Sequence, residues 1–246
     1  MYKEKATLVF DIETVPDIAK AKQIYNLGNL TNEEAYEALK NMRRQETGGS
    51  DFFRHHLHKV VCISVVLRMG DSVRVWSLGD ENATEAEIIK RFFTAIDKYD
   101  VTLVSWNGGG FDLPVLHYRA MLHEITAPMY WELGDHYKEF RYNNYINRFH
   151  MRHVDLMDVF KAHYVDARFG GSTSIKKVLP VLCPQLRYDA AAVHDGGGAM
   201  DAWIRMSESS NEAERKRLAD ELRAYCKLDT LAMVEIFRFV RQATAT

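Results

Sequence analysis

At 246 residues and 47% hydrophobic, the chain carries enough apolar side chains for one large core or two small ones, which excludes an intrinsically disordered polymer. Its 32 Lys and Arg against 34 Asp and Glu leave a net charge of −2, which argues against a long, sequence-independent grip on duplex DNA, since such a grip rests on a basic surface. No apolar run approaches the roughly 18 to 20 residues that span a bilayer, and Met1–Lys5 has no signal-peptide pattern, so no membrane partner is expected. Cys62, Cys183 and Cys226 are scattered without a CxxC pair, which predicts buried free thiols and a cytoplasmic location.

The first expected element is a strand. In Ala6–Thr14, Leu8, Val9, Phe10 and Ile12 suit a strand buried on both faces, and because residues i and i+2 point the same way, Asp11 and Glu13 share one face. Two like charges there are costly to desolvate; they call for protonation or for a strong positive partner such as a divalent cation. A strand that simply ends in a polar turn at Pro16-Asp17 is the alternative. Ile18–Gln45 follows as a helix-prone excursion, with a cap-like Thr31-Asn-Glu-Glu34 and a stop at Gly48-Gly49. His55 and His58 have a metal-binding spacing, but with no second ligand pair nearby a solvated turn, near phosphate at most, is preferred over zinc.

Val60–Leu67 and Ser72–Ser77 read as a hairpin, Ala83–Lys98 as a helix with Ile88, Ile89, Phe92, Phe93 and Ile96 on one face, and Val101–Ser105 as a further strand. A hairpin beside the first strand and a helical crossover to a parallel strand predict an α/β fold with a mixed sheet and flanking helices. Trp106–Pro114 links strand to helix; its three glycines permit a tight turn or a close ligand, and Asp112 before Leu-Pro is either an N-cap or a site carboxylate. Leu113–His123 is helical, 124–152 is an aromatic and polar stretch without assignment, and Asp155–His163 is a helix or the end of a short strand running into one. Ser174 caps Ile175–Leu182, Gly196–Gly198 precedes a helix near Met200–Met206, and a last long helix covers Asn211–Arg241 with room for one break. On that helix Tyr225 and Asp229 stand at i and i+4, hence on one face, either as site residues or as a core tyrosine with an aspartate at its rim. A single domain over residues 1–246, with insertions near 18–58 and 124–152, is the simplest organisation.

Asp11-x-Glu13, Asn107-(x)3-Phe111-Asp112 and Tyr225-(x)3-Asp229, in this order, resemble the three exonuclease motifs of the DEDD superfamily, and the surrounding residues resemble its stand-alone group related to the exonuclease domain of family B DNA polymerases. The branch with a catalytic histidine places it where Ala224 stands; Tyr225 puts the resemblance with the tyrosine branch (DEDDy). The resemblance implies a ribonuclease H-like fold, three antiparallel strands followed by parallel ones, and metal-dependent 3′→5′ exonuclease activity at single-stranded DNA ends. It implies two divalent cations, Mg²⁺ or Mn²⁺, held by Asp11, Glu13, Asp112 and Asp229: Asp11 bridging, Glu13 and Asp229 on the water side, Asp112 supporting the other ion. Tyr225 would orient the attacking water, since an ordinary phenol with a pKa near ~10 is a poor base at neutral pH. Thr14, Asn107 and Phe111 would contact the terminal nucleotides, although ordinary core packing also suits Phe111. Lys176 and Lys177 could meet phosphate or lie on a solvated face, and Asp155 is a further carboxylate, less suited than Asp229 to be the fourth ligand. RNA in place of DNA, a binding module without turnover, and a metallohydrolase of small phosphoesters are the competing expectations.

Overall fold

The strand expected at Ala6–Thr14 is the middle of a sheet. The computed structural model describes residues 6–70, 72–80, 82–147, 152–186, 202–206 and 209–244. In it β1 (Thr7–Pro16) pairs antiparallel with β2 (His58–Met69), which pairs antiparallel with β3 (Ser72–Ser77). On its other side β1 pairs parallel with β4 (Thr102–Ser105), and β4 pairs parallel with β5 (His153–Asp155). The order β3-β2-β1-β4-β5 is the expected mixed, ribonuclease H-like sheet.

Alternation along β1 feeds two cores. Leu8, Phe10 and Ile12 enter a cluster with Ile89, Phe92, Phe93 and Ile96 of α3 (Glu85–Tyr99) and with Val115 and Leu116 of α4 (Asp112–Leu122). Val9 points to the opposite face, where α5 (Leu156–His163), α6 (Ile175–Leu182) and α7 (Glu212–Thr244) pack through Leu156, Phe160, Val178, Leu179, Met233 and Ile236. Burial on both faces explains why β1 lacks polar alternation until Asp11. The last helix runs unbroken for 33 residues, so the break allowed for by its polar composition does not occur; tertiary packing of its apolar stripe holds it straight through.

The excursion after β1 folds as α1 (Ile18–Ile24) and α2 (Asn32–Thr47), the latter opened by the full capping box of Thr31 and Glu34 and closed by Gly48 in the left-handed region. The pair encloses a small core of Ala21, Leu39, Phe53 and Leu57. The unassigned 124–147 stretch is largely irregular, with a 3-10 turn at Lys138–Arg141, and is held down by Tyr130, Phe140 and Tyr145. Arg152, fully buried, lies 3.6 Å from the Phe140 ring centre and pairs with Asp100. Gly196–Gly198 and Met200 lie outside the described residues; 202–206 is helical. All three cysteines are free and buried, and among the described residues no helix is long and apolar enough to cross a membrane.

Candidate active site

The ladder between β1 and β4 ends at Val9–Val104, whereas β2 follows β1 to Pro16 with a register shift between Glu13 and Thr14. Asp11 and Glu13 therefore lie beyond the last parallel pair, at the carboxyl ends of the parallel strands, where open α/β sheets form their crevices. They share the face of Val9, which is the face covered by α7. Two contacts fix that helix against the sheet: the Ser64 and Thr230 hydroxyls are 2.8 Å apart, and the Cys226 thiol donates to the Asp11 carbonyl at 3.9 Å. Their neighbours Tyr225 and Asp229 are both buried; the Asp229 charge acts on Asp11 and Glu13, and Tyr225 packs in a cluster with Cys62 of β2. Asp11, Glu13 and Cys226 offer ligand atoms all within 4.8 Å of one another.

Asp112 arrives from the opposite side. It is the first residue of α4, with Phe111 as the N-cap residue, so the N-cap expectation for Asp112 is not met. Its Oδ1 instead accepts the Ile12 N–H at 3.2 Å, bridging helix to strand between the two β1 acids. Burial, first, and then the charges of Asp229, Asp112 and Glu13 hold the Asp11 carboxyl well above its usual range. Glu13 is raised by burial, then by Asp229; Lys176 opposes this. Asp112 is pushed up to about 7, chiefly by burial, with the Asp155 charge adding to it and hydrogen bonds opposing. Four acids thus act on one another across three elements.

This donor set fits hard divalent cations: the oxygens are carboxylate, the charges oppose one another, and burial penalises the charged forms of Asp11, Glu13 and Asp112 without a cation. Lys176 faces the site, its Nζ 5.7 Å from the Tyr225 ring centre, while Lys177 is exposed, so the two lysines divide the alternatives left open for them.

The loop between β4 and α4 is pinned by a residue whose role the sequence did not disclose. The Asp155 carboxylate accepts the N–H groups of Asn107 at 2.8 Å, Gly109 at 3.0 Å and Met157 at 3.1 Å. Asp155 is therefore a clamp on the loop as well as the cap of α5. Its position between a strand and a helix is an N-cap signal, but the partners 46 and 48 residues away have none. Asn107 sits at φ 62°, in the left-handed region that asparagine tolerates. A Cβ on Gly108 would stand 2.1 Å from Ser105 Oγ, so only glycine lets the loop close down here.

His58 corrects the expectation of a solvated turn. It opens β2, is buried, and spends both ring nitrogens on the protein: Nδ1 on Thr14 Oγ1 at 2.9 Å and Nε2 on the Phe53 carbonyl at 3.3 Å. Burial lowers its pKa to about 4, and the ring is neutral at physiological pH. Phe111 packs on the core and also faces outward, with ring centres of His58, Phe52 and His55 at 5.0, 5.4 and 5.8 Å. Phe111, Thr14 and Glu13 line one cleft of about 410 Å³. The structure thus brings Asp11 and Glu13 together at the end of β1, sets the charges of Asp112 and Asp229 close enough to act on them, and lines the adjoining cleft with Thr14 and Phe111, while Asn107 is fixed through its backbone to Asp155.

A mixed ribonuclease H-like sheet with acids grouped at its parallel strand ends defines an α/β protein with an acidic site at the strand ends. More narrowly, the chain belongs to the family described as predicted 3′-5′ exonucleases related to the exonuclease domain of PolB, whose pattern matches residues 50–174. That match includes Asn107, Phe111 and Asp112 and leaves Asp11, Glu13, Tyr225 and Asp229 outside it. Among solved structures, the chain is similar to the zinc-ion-bound E. coli ExoI–ssDNA complex, at 12% identity and a TM-score of 0.30 over 97% of this chain. The chain spans 43% of that protein's length. No curated protein matches it.

Proposed function

We propose that residues 1–246 form a single exonuclease domain that removes nucleotides from the 3′ ends of single-stranded DNA with two divalent cations, Mg²⁺ or Mn²⁺. One observation carries this reading: half-buried Asp11 and buried Glu13 and Asp112 stand at the carboxyl ends of the parallel strands, their charges opposing one another, with Asp229 acting on Asp11 and Glu13 from α7. Asp11, Glu13, Asp112 and Asp229 would hold the cations. When bound, these acidify the attacking water and neutralise charge on the leaving 3′ oxygen.

The chain's own side chains supply the rest. Asp112 keeps β1 and α4 at fixed separation through the Ile12 N–H. Tyr225, rigid on a packed helix, orients the attacking water by hydrogen bonding. Asn107 and Phe111 meet the terminal nucleotides, and Thr14, oriented by His58, meets their backbone. Free thiols at all three cysteines favour a reducing compartment, the cytoplasm.

The test uses 5′-labelled DNA and RNA oligomers of one sequence, with free or blocked 3′ ends, incubated with Mn²⁺. Wild type shortens DNA stepwise from a free 3′ end and leaves blocked DNA intact, and Asp11→Ala loses about 10³-fold in rate, in line with loss of electrostatic stabilisation at a reaction centre. Indifference to the 3′ block, release of phosphate from monoesters without shortening, or full activity of Asp11→Ala overturns the reading; faster loss of RNA reassigns the substrate.

A further inference from the structure

We infer that the excursion between β1 and β2 forms the outer wall of a base-stacking cleft for single-stranded nucleic acid, with Phe52 as its stacking residue. The excursion has its own small core, and within the Phe52-Phe53 pair the two rings part company. Phe53 is 6% exposed inside that core, whereas Phe52 is 54% exposed. A phenyl ring left this open on a folded wall gains little by itself from burial, so its placement has to be read from what it faces. It faces Phe111 at 5.4 Å and His58 at 5.1 Å, across the end of β1.

The cleft between them is lined by Glu13 and Thr14 from β1, by Phe111, and by Tyr36, Lys40 and Phe52 from the excursion. Its volume of about 410 Å³ is within the range of roughly 300 to 1,000 Å³ that takes a small organic group. Phe52 and Phe111 pack on each other at 58°, so the face open to a base is the exposed side of Phe52, and because Glu13 lines the same cleft and belongs to the acidic cluster, a base stacked there lies beside the proposed point of cleavage. Lys40, 5.0 Å from the Tyr36 ring centre, is paired with Glu37 at 3.1 Å, and Asp51 of the same lining is paired with Arg44 at 2.6 Å, so the charges of this wall are balanced and the ring faces carry the recognition. An open phenyl face continuous with the proposed cation site suits a planar base and is indifferent to which base it is. Neutral His58 serves here as an apolar plate, both nitrogens being turned to the protein.

The inference rests on the exonuclease reading for where the strand ends, and the experiment separates the two. Anisotropy of a 5′-fluorescein oligothymidylate is measured with Ca²⁺ on wild type, Phe52→Ala and Phe52→Trp. Phe52→Ala weakens binding about tenfold, within the span that loss of one stacked base produces, and Phe52→Trp restores it. An oligomer of equal length with abasic residues at its 3′ end binds wild type and Phe52→Ala alike, which a merely structural role for Phe52 would not bring about. Equal affinity of wild type and Phe52→Ala for oligothymidylate, a Phe52→Ala defect that persists on the abasic end, or no oligonucleotide binding at all refutes the cleft. Phe52-dependent binding without shortening in Mn²⁺ leaves the cleft standing and removes the exonuclease; shortening with no Phe52 dependence does the reverse.

Discussion

Asp112→Asn is the most informative single change, because it removes a charge and keeps a shape. The amide oxygen still accepts the Ile12 N–H, which Asp112 accepts at 3.2 Å, so β1 and α4 stay joined. What disappears is a carboxyl held at about 7 when its ordinary value is 3.8. The folded protein keeps this proton over a pH range in which the unfolded chain has already lost it. The resulting stabilisation is therefore complete below pH 3.8 and is lost progressively as pH rises to about 7. Roughly three decades of acidity amount to about 4 kcal/mol at the upper limit.

Without divalent ions, Asp112→Asn should thus gain on wild type as pH rises, by about 3 kcal/mol between about pH 4.5 and about pH 8. Urea denaturation in EDTA at the two pH values reads this directly, and because the Asp112 charge also raises Asp11 and Glu13, its removal relieves them at the higher pH and adds to the gain. Adding Mg²⁺ or Mn²⁺ at the higher pH should then stabilise wild type more than Asp112→Asn, by mass action on the folded state. A variant less stable than wild type by the same amount at both pH values would refute the reasoning, since it would make Asp112 a structural hydrogen-bond acceptor and nothing else.

Two further changes probe the loop that carries Asn107. Gly108→Ala drives a methyl to 2.1 Å from Ser105 Oγ and should cost about 1 to 3 kcal/mol in urea melts, with Ser105→Gly in the same chain recovering part of it; a neutral Gly108→Ala would contradict the close approach. Asp155→Ala strips an acceptor from three backbone N–H groups and should cost about 2 kcal/mol or more while raising the KM for oligonucleotides, because the loop loses its anchor. An unchanged melt and KM would remove Asp155 from the account.

Local periodicity carried most of the fold. The Thr31–Glu34 box, the hairpin of β2 and β3, the apolar stripe of α3 and the shared face of Asp11 and Glu13 each follow from residues within a turn or two of one another. Where the reading failed, the cause lies far away in the chain. His58 looks like part of a solvated basic turn until Thr14, 44 residues earlier, takes its Nδ1. Asp155 looks like a spare acid until the 107–109 loop closes on it. The 124–147 stretch has no period because its order comes from single aromatic anchors, and β5, with three residues, is too short to show alternation.

The same contrast explains how the site is divided. Its acids stand on β1, α4 and α7, elements whose positions follow from two apolar cores, so their approach is enforced even though each is raised in energy by the others. Those cores keep the acids together without a cation, and the cost of their proximity is met by protons held to higher pH than usual. The cleft wall is held differently: α1 and α2 lean on a separate core of Ala21, Leu39, Phe53 and Leu57, and Arg119, buried between Asp17 and Glu85, ties the start of the excursion to α3 and α4. A substitution in that small core should therefore displace Phe52 and leave the acids where they are. Phe52 and the acids thus answer to different packing, whereas Phe111 and Thr14 share theirs with the acids.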